Sequence, residues 1–270
     1  MIGSFTRSYG PFGVQRALKG ISSAGLKYVG LMGFFPPTIT GPQLAEISSL
    51  LKECNLKPIA VWGTSKGYDE EGTKEFRRIV DNSATLGINR VLIAGPWPYL
   101  EDIKVKKPTS RWMQEVEEFF RWVESILPYL EERDIKLALK PHAGITATAK
   151  ECLETMERIG SEKVRIWYDP GNVVYYEGVR PEDVPDDLKV IVDYVDGMCL
   201  KDIVGGRGGE LRVPGQGTID FKELFAVLKE AGFRGPSLIE YGAPPGASAE
   251  DIDLALRKSS QYLRETLRKL

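Results

Sequence analysis

The feature that most constrains this chain is a repeated alternation of two kinds of segment. Eight short apolar, β-branched runs are separated by longer amphipathic ones. The short runs are Ile2–Thr6, Tyr28–Met32, Pro58–Trp62, Arg90–Ala94, Lys136–Lys140, Arg165–Asp169, Gly197–Lys201 and Ser237–Tyr241. Several are apolar throughout rather than alternating, which is how strands buried on both faces read. The segments between them place apolar residues at helical spacing. Leu44, Ile47, Leu50 and Leu51 share one face, and Trp112, Val116, Phe119, Phe120, Val123 and Leu127 another. Helices are expected from about Val14 to Ala24, from Gly41 onward, from Glu71 to Leu86, from Ser110 to Glu132, from Thr148 to Ile159, from Thr218 through Leu228 and from Ala249 to Leu267. Gly25, Gly87, Gly160 and Gly232 stand just past helix ends, where glycine caps the C-terminus. The Asp- and Pro-rich stretch Pro181 to Tyr194 predicts a short or irregular sixth helix.

Eight such units in 270 residues predict a single (β/α)8 TIM barrel, an α/β fold that is usually about 250 residues long. No linker is visible, so residues 1–270 read as one barrel domain. A doubly wound open sheet is the alternative, but the first strand is not followed by Gly-x-Gly-x-x-Gly. Hydrophobic residues make up 42% and charged residues 27%, ordinary values for a soluble globular chain. The net charge of −2, without a basic stripe, argues against nucleic acid as a partner. Cys54, Cys152 and Cys199 are widely spaced, which suits neither a disulfide framework nor a Cys-x-x-Cys metal pair. The N-terminus does not read as a signal peptide, and no window reaches about 18 uninterrupted apolar residues. The expectation is a cytoplasmic protein that does not engage a membrane.

In a barrel of this kind, functional side chains stand at the C-terminal ends of the strands. A polar residue ending an apolar strand is costly unless it is paired or functional. This filter selects Lys140 and His142, Asp169 and Asn172, Cys199, Lys201 and Asp202, and Glu240, while earlier strands offer Arg7, Trp62, Trp97 and Tyr99. Asp169 and Glu240 face one shared axis, and two neighbouring carboxylates need a proton, a cation or a metal between them. Lys201 is expected to hold substrate oxygens with Asp202 orienting it. Trp62, Trp97 and Tyr99 either wall a sugar face or fill the core. Arg207, in Gly205-Gly-Arg-Gly-Gly, either binds a substrate anion or is a solvated loop side chain. Structural readings stand beside the others. His142 is the only histidine and can be a packing residue, Asp169 can cap the Asp-Pro-Gly-Asn turn, and Cys199 reads better as a small core residue than as a ligand.

Five segments carry a resemblance: Leu137-Ala-Leu-Lys-Pro-His-Ala-Gly, Trp167-Tyr-Asp-Pro-Gly-Asn, Met198-Cys-Leu-Lys-Asp, Val213-Pro-Gly-Gln-Gly-Thr-Ile-Asp-Phe and Leu238-Ile-Glu-Tyr. In this order they resemble the xylose-isomerase-like superfamily of TIM barrels, which includes sugar and sugar-phosphate isomerases and epimerases, dehydratases and lyases, and barrel-type apurinic endonucleases. The resemblance implies a divalent metal held by a Glu after strand five, an Asp after strand six, a His at strand seven and a Glu after strand eight. It also implies that the two glutamates move protons between adjacent sugar carbons. Here Asp169 and Glu240 match, but Lys140 stands at the strand-five Glu, Cys199 at the strand-seven His, Asn172 at the His after the strand-six Asp, and Gln216 at the Glu of Pro-Gly-Glu-Gly. The endonuclease branch uses a histidine-rich multi-zinc site, and this chain has one histidine.

Three readings follow. In the first, His142, Asp169 and Glu240 hold manganese, magnesium or zinc, which acts as a Lewis acid on a carbonyl and a hydroxyl. In the second, the Lys140 ammonium lies between Asp169 and Glu240 and stabilises an enediolate, with Glu240 as base and His142 as the second proton carrier. In the third, the barrel has lost its chemistry and binds a small molecule. The leading expectation is a carbohydrate-active isomerase or epimerase working through an enediolate-like intermediate on a small carbohydrate or polyol. Elimination of a β-substituent by a lyase or dehydratase is the alternative. Homo-oligomers are common in such families.

Overall fold

A computed structural model gives the architecture of the protein, and it describes residues 1–63, 67–96 and 109–270. The strands in chain order are β1 (Ile2–Phe5), β2 (Tyr28–Leu31), β3 (Lys57–Trp62), β4 (Arg90–Ile93), β5 (Lys136–Leu139), β6 (Val164–Tyr168), β7 (Val195–Leu200), β8 (Asp202–Val204), β9 (Glu210–Arg212) and β10 (Ser237–Ile239). All but β8 and β9 close into one parallel barrel, each strand beside its sequence neighbour among the barrel strands and β10 pairing with β1. Ring closure runs through Ile2 opposite Ser237, Gly3 opposite Leu238 and Ser4 opposite Ile239. The expected (β/α)8 barrel is therefore the fold.

Around it lie α1 (Gly13–Ser23), α2 (Gly41–Glu53), α3 (Glu70–Thr85), α4 (Ser110–Glu132), α5 (Ala149–Ile159), the single turn α6 (Pro170–Asn172), α7 (Val184–Ile191), α8 (Phe221–Glu230) and α9 (Ala249–Arg268). Side-chain caps start several of them. Thr40 and Gln43 at α2 and Ser248 and Asp251 at α9 form reciprocal capping boxes that satisfy the first free backbone N–H groups. Gly25, Gly87, Gly160 and Gly232 all take positive φ after their helices, as C-caps require. The Asp- and Pro-rich sixth unit is one short helix, α7, between 3-10 turns at Pro181–Asp183 and Val192–Tyr194. No described helix is long and apolar enough to cross a membrane.

The barrel interior is filled by Phe5, Ile59, Leu92, Ala138, Trp167, Cys199 and Leu238. Two glycines make this plug possible. A Cβ at Gly30 would stand 2.3 Å from the Phe5 ring, and one at Gly197 would stand 2.2 Å from the Trp167 ring. The rings of Phe5 and Trp167 lie 5.9 Å apart and tilted, so the barrel is a packed core beneath its mouth rather than a pore. Strand side chains facing outward join the larger core under the helices, including Val29, Val61, Val91, Leu137, Ile166 and Met198.

One element departs from the expectation of a flexible Gly-rich loop after strand seven. Strands β8 and β9 pair antiparallel, Asp202 opposite Arg212, Ile203 opposite Leu211 and Val204 opposite Glu210, with Gly205–Gly209 as the turn. Three residues a side are too few for periodicity to announce a strand.

Candidate active site

At the C-terminal ends of β5, β6, β7 and β10, the first residue beyond each strand carries charge: Lys140, Asp169, Lys201 and Glu240. Lys140 and Glu240 are still tied to the sheet, their backbone N–H groups donating to Ile93 and Leu200 carbonyls at 2.9 and 3.2 Å. Their side chains thus start from a fixed frame. Lys140 Nζ lies 2.8 Å from Asp169 Oδ2 and 2.7 Å from Glu240 Oε2. Lys201 Nζ lies 2.9 Å from Asp169 Oδ2 and 2.9 Å from Glu240 Oε1. Two ammonium groups and two carboxylates form a closed ring of charge, and all four side chains are at most 5% exposed.

Further groups complete it. Arg7, in the 3-10 turn after β1, donates to Glu240 Oε1 at 3.0 Å, and its side chain is 55% exposed. The Cys199 thiol lies 3.2 Å from Glu240 Oε2. Asn172 accepts from Lys201 Nζ at 2.9 Å and donates through Nδ2 to the Pro141 carbonyl at 2.7 Å, tying the ends of β5, β6 and β7 together. Asp169 keeps its turn-capping role as well, Oδ1 accepting from the Asn172 N–H at 2.9 Å. Its structural and charged readings are both realised.

The charge states follow from this geometry. Burial alone would push the Lys140 ammonium down, but the attraction of Asp169, Cys199 and Glu240 outweighs it and holds the group well above its ordinary value. Burial would raise Glu240, yet Lys140 and Lys201 hold it well below the usual carboxylate range. Asp169 is lowered in the same balance, its burial and the neighbouring Glu240 being outweighed by the two lysines. Arg7, Lys140 and Lys201 are three cations facing two carboxylates, so this ring carries an excess of one positive charge.

His142 lies just past the end of β5, and it shares the Trp62 ring with the Lys140 ammonium. The ring Nδ1 lies 3.1 Å from the Lys140 carbonyl. The imidazole touches two aromatic rings, its centroid 5.7 Å from that of Trp62 and 5.7 Å from that of Tyr176. Burial, then Lys140 and Lys201, push it down to about 3, so it is neutral at ordinary pH. Among the described residues the donor trio differs from the expected one. Asp169, Cys199 and Glu240, not His142, present ligand-type atoms within 4.8 Å of one another.

Asp202 does not orient Lys201. Its Oδ1 accepts from the N–H groups of Ile203 and Ile219, and its Oδ2 from those of Gly215 and Gly217, at 2.8 to 3.0 Å. Consecutive strand residues point to opposite sides, so Lys201 faces the mouth and Asp202 anchors the hairpin. Arg207 does not reach the charged ring in its described contacts; it donates to the Tyr176 carbonyl at 2.7 Å and pairs with Glu177 at 3.7 Å. Trp62 lies at the mouth with the Lys140 ammonium 5.6 Å above its ring. Trp97 and Tyr99 fall outside the described residues. A cleft of about 560 Å³ opens beside Trp62, towards Ile93, Ala94 and Arg111. Sequence reasoning missed Tyr176 and the Arg7–Glu240 contact. Arg7 had a usable signal, a charged residue just past strand one; Tyr176 had none.

Residues 18–266 match the family described as the xylose isomerase-like TIM barrel. The chain belongs to that family. Among solved structures similar to it are a xylose isomerase domain protein from Planctomyces limnophilus, with a TM-score of 0.75 at 18% identity over 99% of this chain and 96% of that one. Another is a 3-keto-D-glucoside 4-epimerase from E. coli, with a TM-score of 0.77 at 18% identity over 98% of both chains. At these identities the likeness is one of fold. In sequence the chain is similar to an inosose dehydratase of Clostridium perfringens, 30% identical over 152 residues, which is 50% of this chain and 49% of that protein. An inosose dehydratase of Klebsiella pneumoniae is 25% identical over 186 residues, 63% of this chain and 60% of that protein. The chain spans about half the length of most of the curated relatives it matches.

Proposed function

We propose that this barrel is a carbohydrate-active enzyme that removes a proton beside the carbonyl of a keto-sugar or cyclic keto-polyol. Its own lysines then hold the resulting enediolate. The observation that carries this reading is the Lys140 ammonium, 2.8 and 2.7 Å from Asp169 and Glu240, in the middle of the donor trio. An ammonium has three donors, and two are used here. The third is directed at a substrate oxygen. The Lys140 and Lys201 ammonium groups stand where negative charge develops when a C–H proton leaves.

A resident metal ion does not fit these residues. A dication among Asp169, Cys199 and Glu240 would share its space with the Lys140 ammonium and stand against that of Lys201. Like charges at this separation in a buried site repel strongly. The arrangement therefore supports metal-free chemistry.

Glu240 is the base. Its lowered pKa keeps it ionised, and its four hydrogen-bond partners hold it still. Arg7 is the one partner with an exposed side chain. Substrate entering the mouth displaces Arg7 from Oε1, which frees a lone pair and strengthens the base. The proton passes from carbon to Glu240, and the C–H electron pair becomes the enediolate, whose oxygen is held by Lys140. Return of that proton to the adjacent carbon, with the neighbouring hydroxyl proton passing to the former carbonyl oxygen, gives isomerisation; delivery of a solvent proton to the opposite face of the same carbon, with Glu240 releasing its proton to solvent, gives epimerisation. A second reading, elimination, starts from the same intermediate. The electron pair expels a β-hydroxyl, which takes the proton from Glu240 and leaves as water. The similarity to inosose dehydratases favours it.

The test is deuterium wash-in. Chelator-treated protein is incubated in D2O with a panel of ketoses and cyclic keto-polyols, and exchange beside the carbonyl is followed by NMR, together with loss of water. Exchange that survives chelation and is lost in Glu240→Gln and Lys140→Met is the expected result. A folded wild-type protein that exchanges none of the panel, or only with added divalent metal, would sink the proposal.

A further inference from the structure

The β8–β9 hairpin follows Lys201 directly, and the tip of its turn rests on the segment after β6. Gly208 donates its N–H to the Tyr175 carbonyl at 2.8 Å, and Arg207 Nε donates to the Tyr176 carbonyl at 2.7 Å. Arg207 also pairs with Glu177 at 3.7 Å, and its Cβ would stand 3.5 Å from a Cβ at Gly178. Consecutive residues of one short segment are therefore held by one hairpin tip. That segment, Val173–Glu177, is a single π-helical turn, a geometry that is rare and concentrated at functional sites. It carries the Tyr176 ring, which lies 5.7 Å from His142 at 38°, and the Trp62 ring lies 5.7 Å from the same imidazole at 52°. At its root the hairpin is fixed by the four N–H groups on Asp202.

We infer that Arg207 is a positioning residue: through the hairpin tip it sets the Tyr176 ring against His142 and so builds one end of an aromatic wall, Trp62–His142–Tyr176, that receives the ring face of the substrate. Arg207 acts through Tyr176 and does not touch the substrate. Three adjoining aromatic rings, tilted 52° and 38° to one another, offer an apolar surface that suits the C–H face of a cyclic sugar or polyol while the lysines take its oxygens. The role given to the wall rests on the proposed function; the clamp on Tyr176 rests on the geometry alone.

The chain has one histidine, so its imidazole proton resonances are a single unambiguous probe at the centre of the wall. Their chemical shifts depend on the ring currents of Trp62 and Tyr176. In the full-length protein, Tyr176→Leu is expected to move them, and Arg207→Ala to move them in the same direction. Arg207→Lys, which keeps a donor for the Tyr176 carbonyl, should return them towards wild type, while Arg180→Ala, an exposed arginine elsewhere, leaves them in place. A role in stability alone would lower the unfolding midpoint of Arg207→Ala without moving these resonances, and that result overturns the inference. So does a Tyr176→Leu spectrum identical to wild type. With any substrate found by wash-in, Arg207→Ala raises KM several-fold with kcat little changed, because a wall that grips ground and transition states alike contributes uniform binding. A fall in kcat at constant KM overturns the assigned role. If wild-type protein exchanges no substrate, the proposed function fails while the resonances still decide the clamp.

Discussion

The two ends of the barrel both carry ion networks, and they are built on different terms. At the floor, Asp196 near the start of β7 accepts from Arg90 Nε of β4 at 2.5 Å and from Lys136 Nζ of β5 at 2.7 Å. One carboxylate serves two cations, and the three side chains are 15, 35 and 11% exposed for Arg90, Lys136 and Asp196. Water reaches this network and screens it. At the mouth, two carboxylates serve three cations, and only Arg7 meets solvent appreciably. The same chemistry is thus a clamp between strands at one end and a polarised site at the other. The N-terminal face of such barrels concerns stability, and the C-terminal face concerns function.

The comparison can be broken or sharpened by experiment. The largest expected effect is on turnover. Glu240→Gln lowers the rate of deuterium wash-in by about 10²–10⁴-fold, the range of a lost general base, whereas Asp196→Asn at the floor leaves it unchanged. Equal effects at both ends would remove the distinction. The next effect is on stability. Lys140→Met leaves Lys201 as the one buried cation shared by Asp169 and Glu240, and urea unfolding should show a loss of about 3 kcal/mol.

A smaller effect concerns pH. His142 protonates near 3 in the fold against 6.5 ordinarily, so between those values the unfolded chain binds the extra proton. Stability is complete above about 6.5 and falls as pH drops, with a slope of about 1.4 kcal/mol per pH unit in that window. Asp169 and Glu240 have ordinary values of 3.8 and 4.5, so their share of stability is lost only as pH falls below those values. Asp187, raised chiefly by its burial, acts in the opposite sense and is common to both proteins in the comparison. Urea titrations of wild type and His142→Asn from pH 7 to 5 should diverge by this slope; parallel curves would place the imidazole in water. The smallest stability effect is at the floor. Lys136→Met costs below about 1 kcal/mol, as a partly solvated pair does.

The legible part of this molecule is the part governed by repetition. Short apolar strands, amphipathic helices and their glycine caps recur with one period, and the barrel follows. Lys140, Asp169, Lys201 and Glu240 were legible for the same reason, because each is a charged residue at the end of an apolar strand. His142 lies past the end of β5, where side-chain alternation stops, so its ring contacts with Trp62 and Tyr176 were not legible from periodicity. Asp202 obeys the alternation, and for that reason points away from Lys201. The π turn of Val173–Glu177 and the hairpin tip at Arg207 hold each other by backbone contacts, which have no residue code. Arg7 reaches Glu240 across 233 residues, a contact that only the closed ring creates.

That closure has a kinetic meaning. Glu240 stands at the end of the last barrel strand, and its partners come from the first, fifth and seventh barrel strands. In a nascent chain lacking β10, Lys140 and Lys201 have one carboxylate between them, and the mouth carries its greatest excess of like charge. Docking of the final strand against β1 supplies the missing anion and completes the longest-range pairing in the molecule. Long-range contacts are the slow ones to form. The buried ring of Lys140, Asp169, Lys201 and Glu240 is therefore complete only when the first and last strands have met.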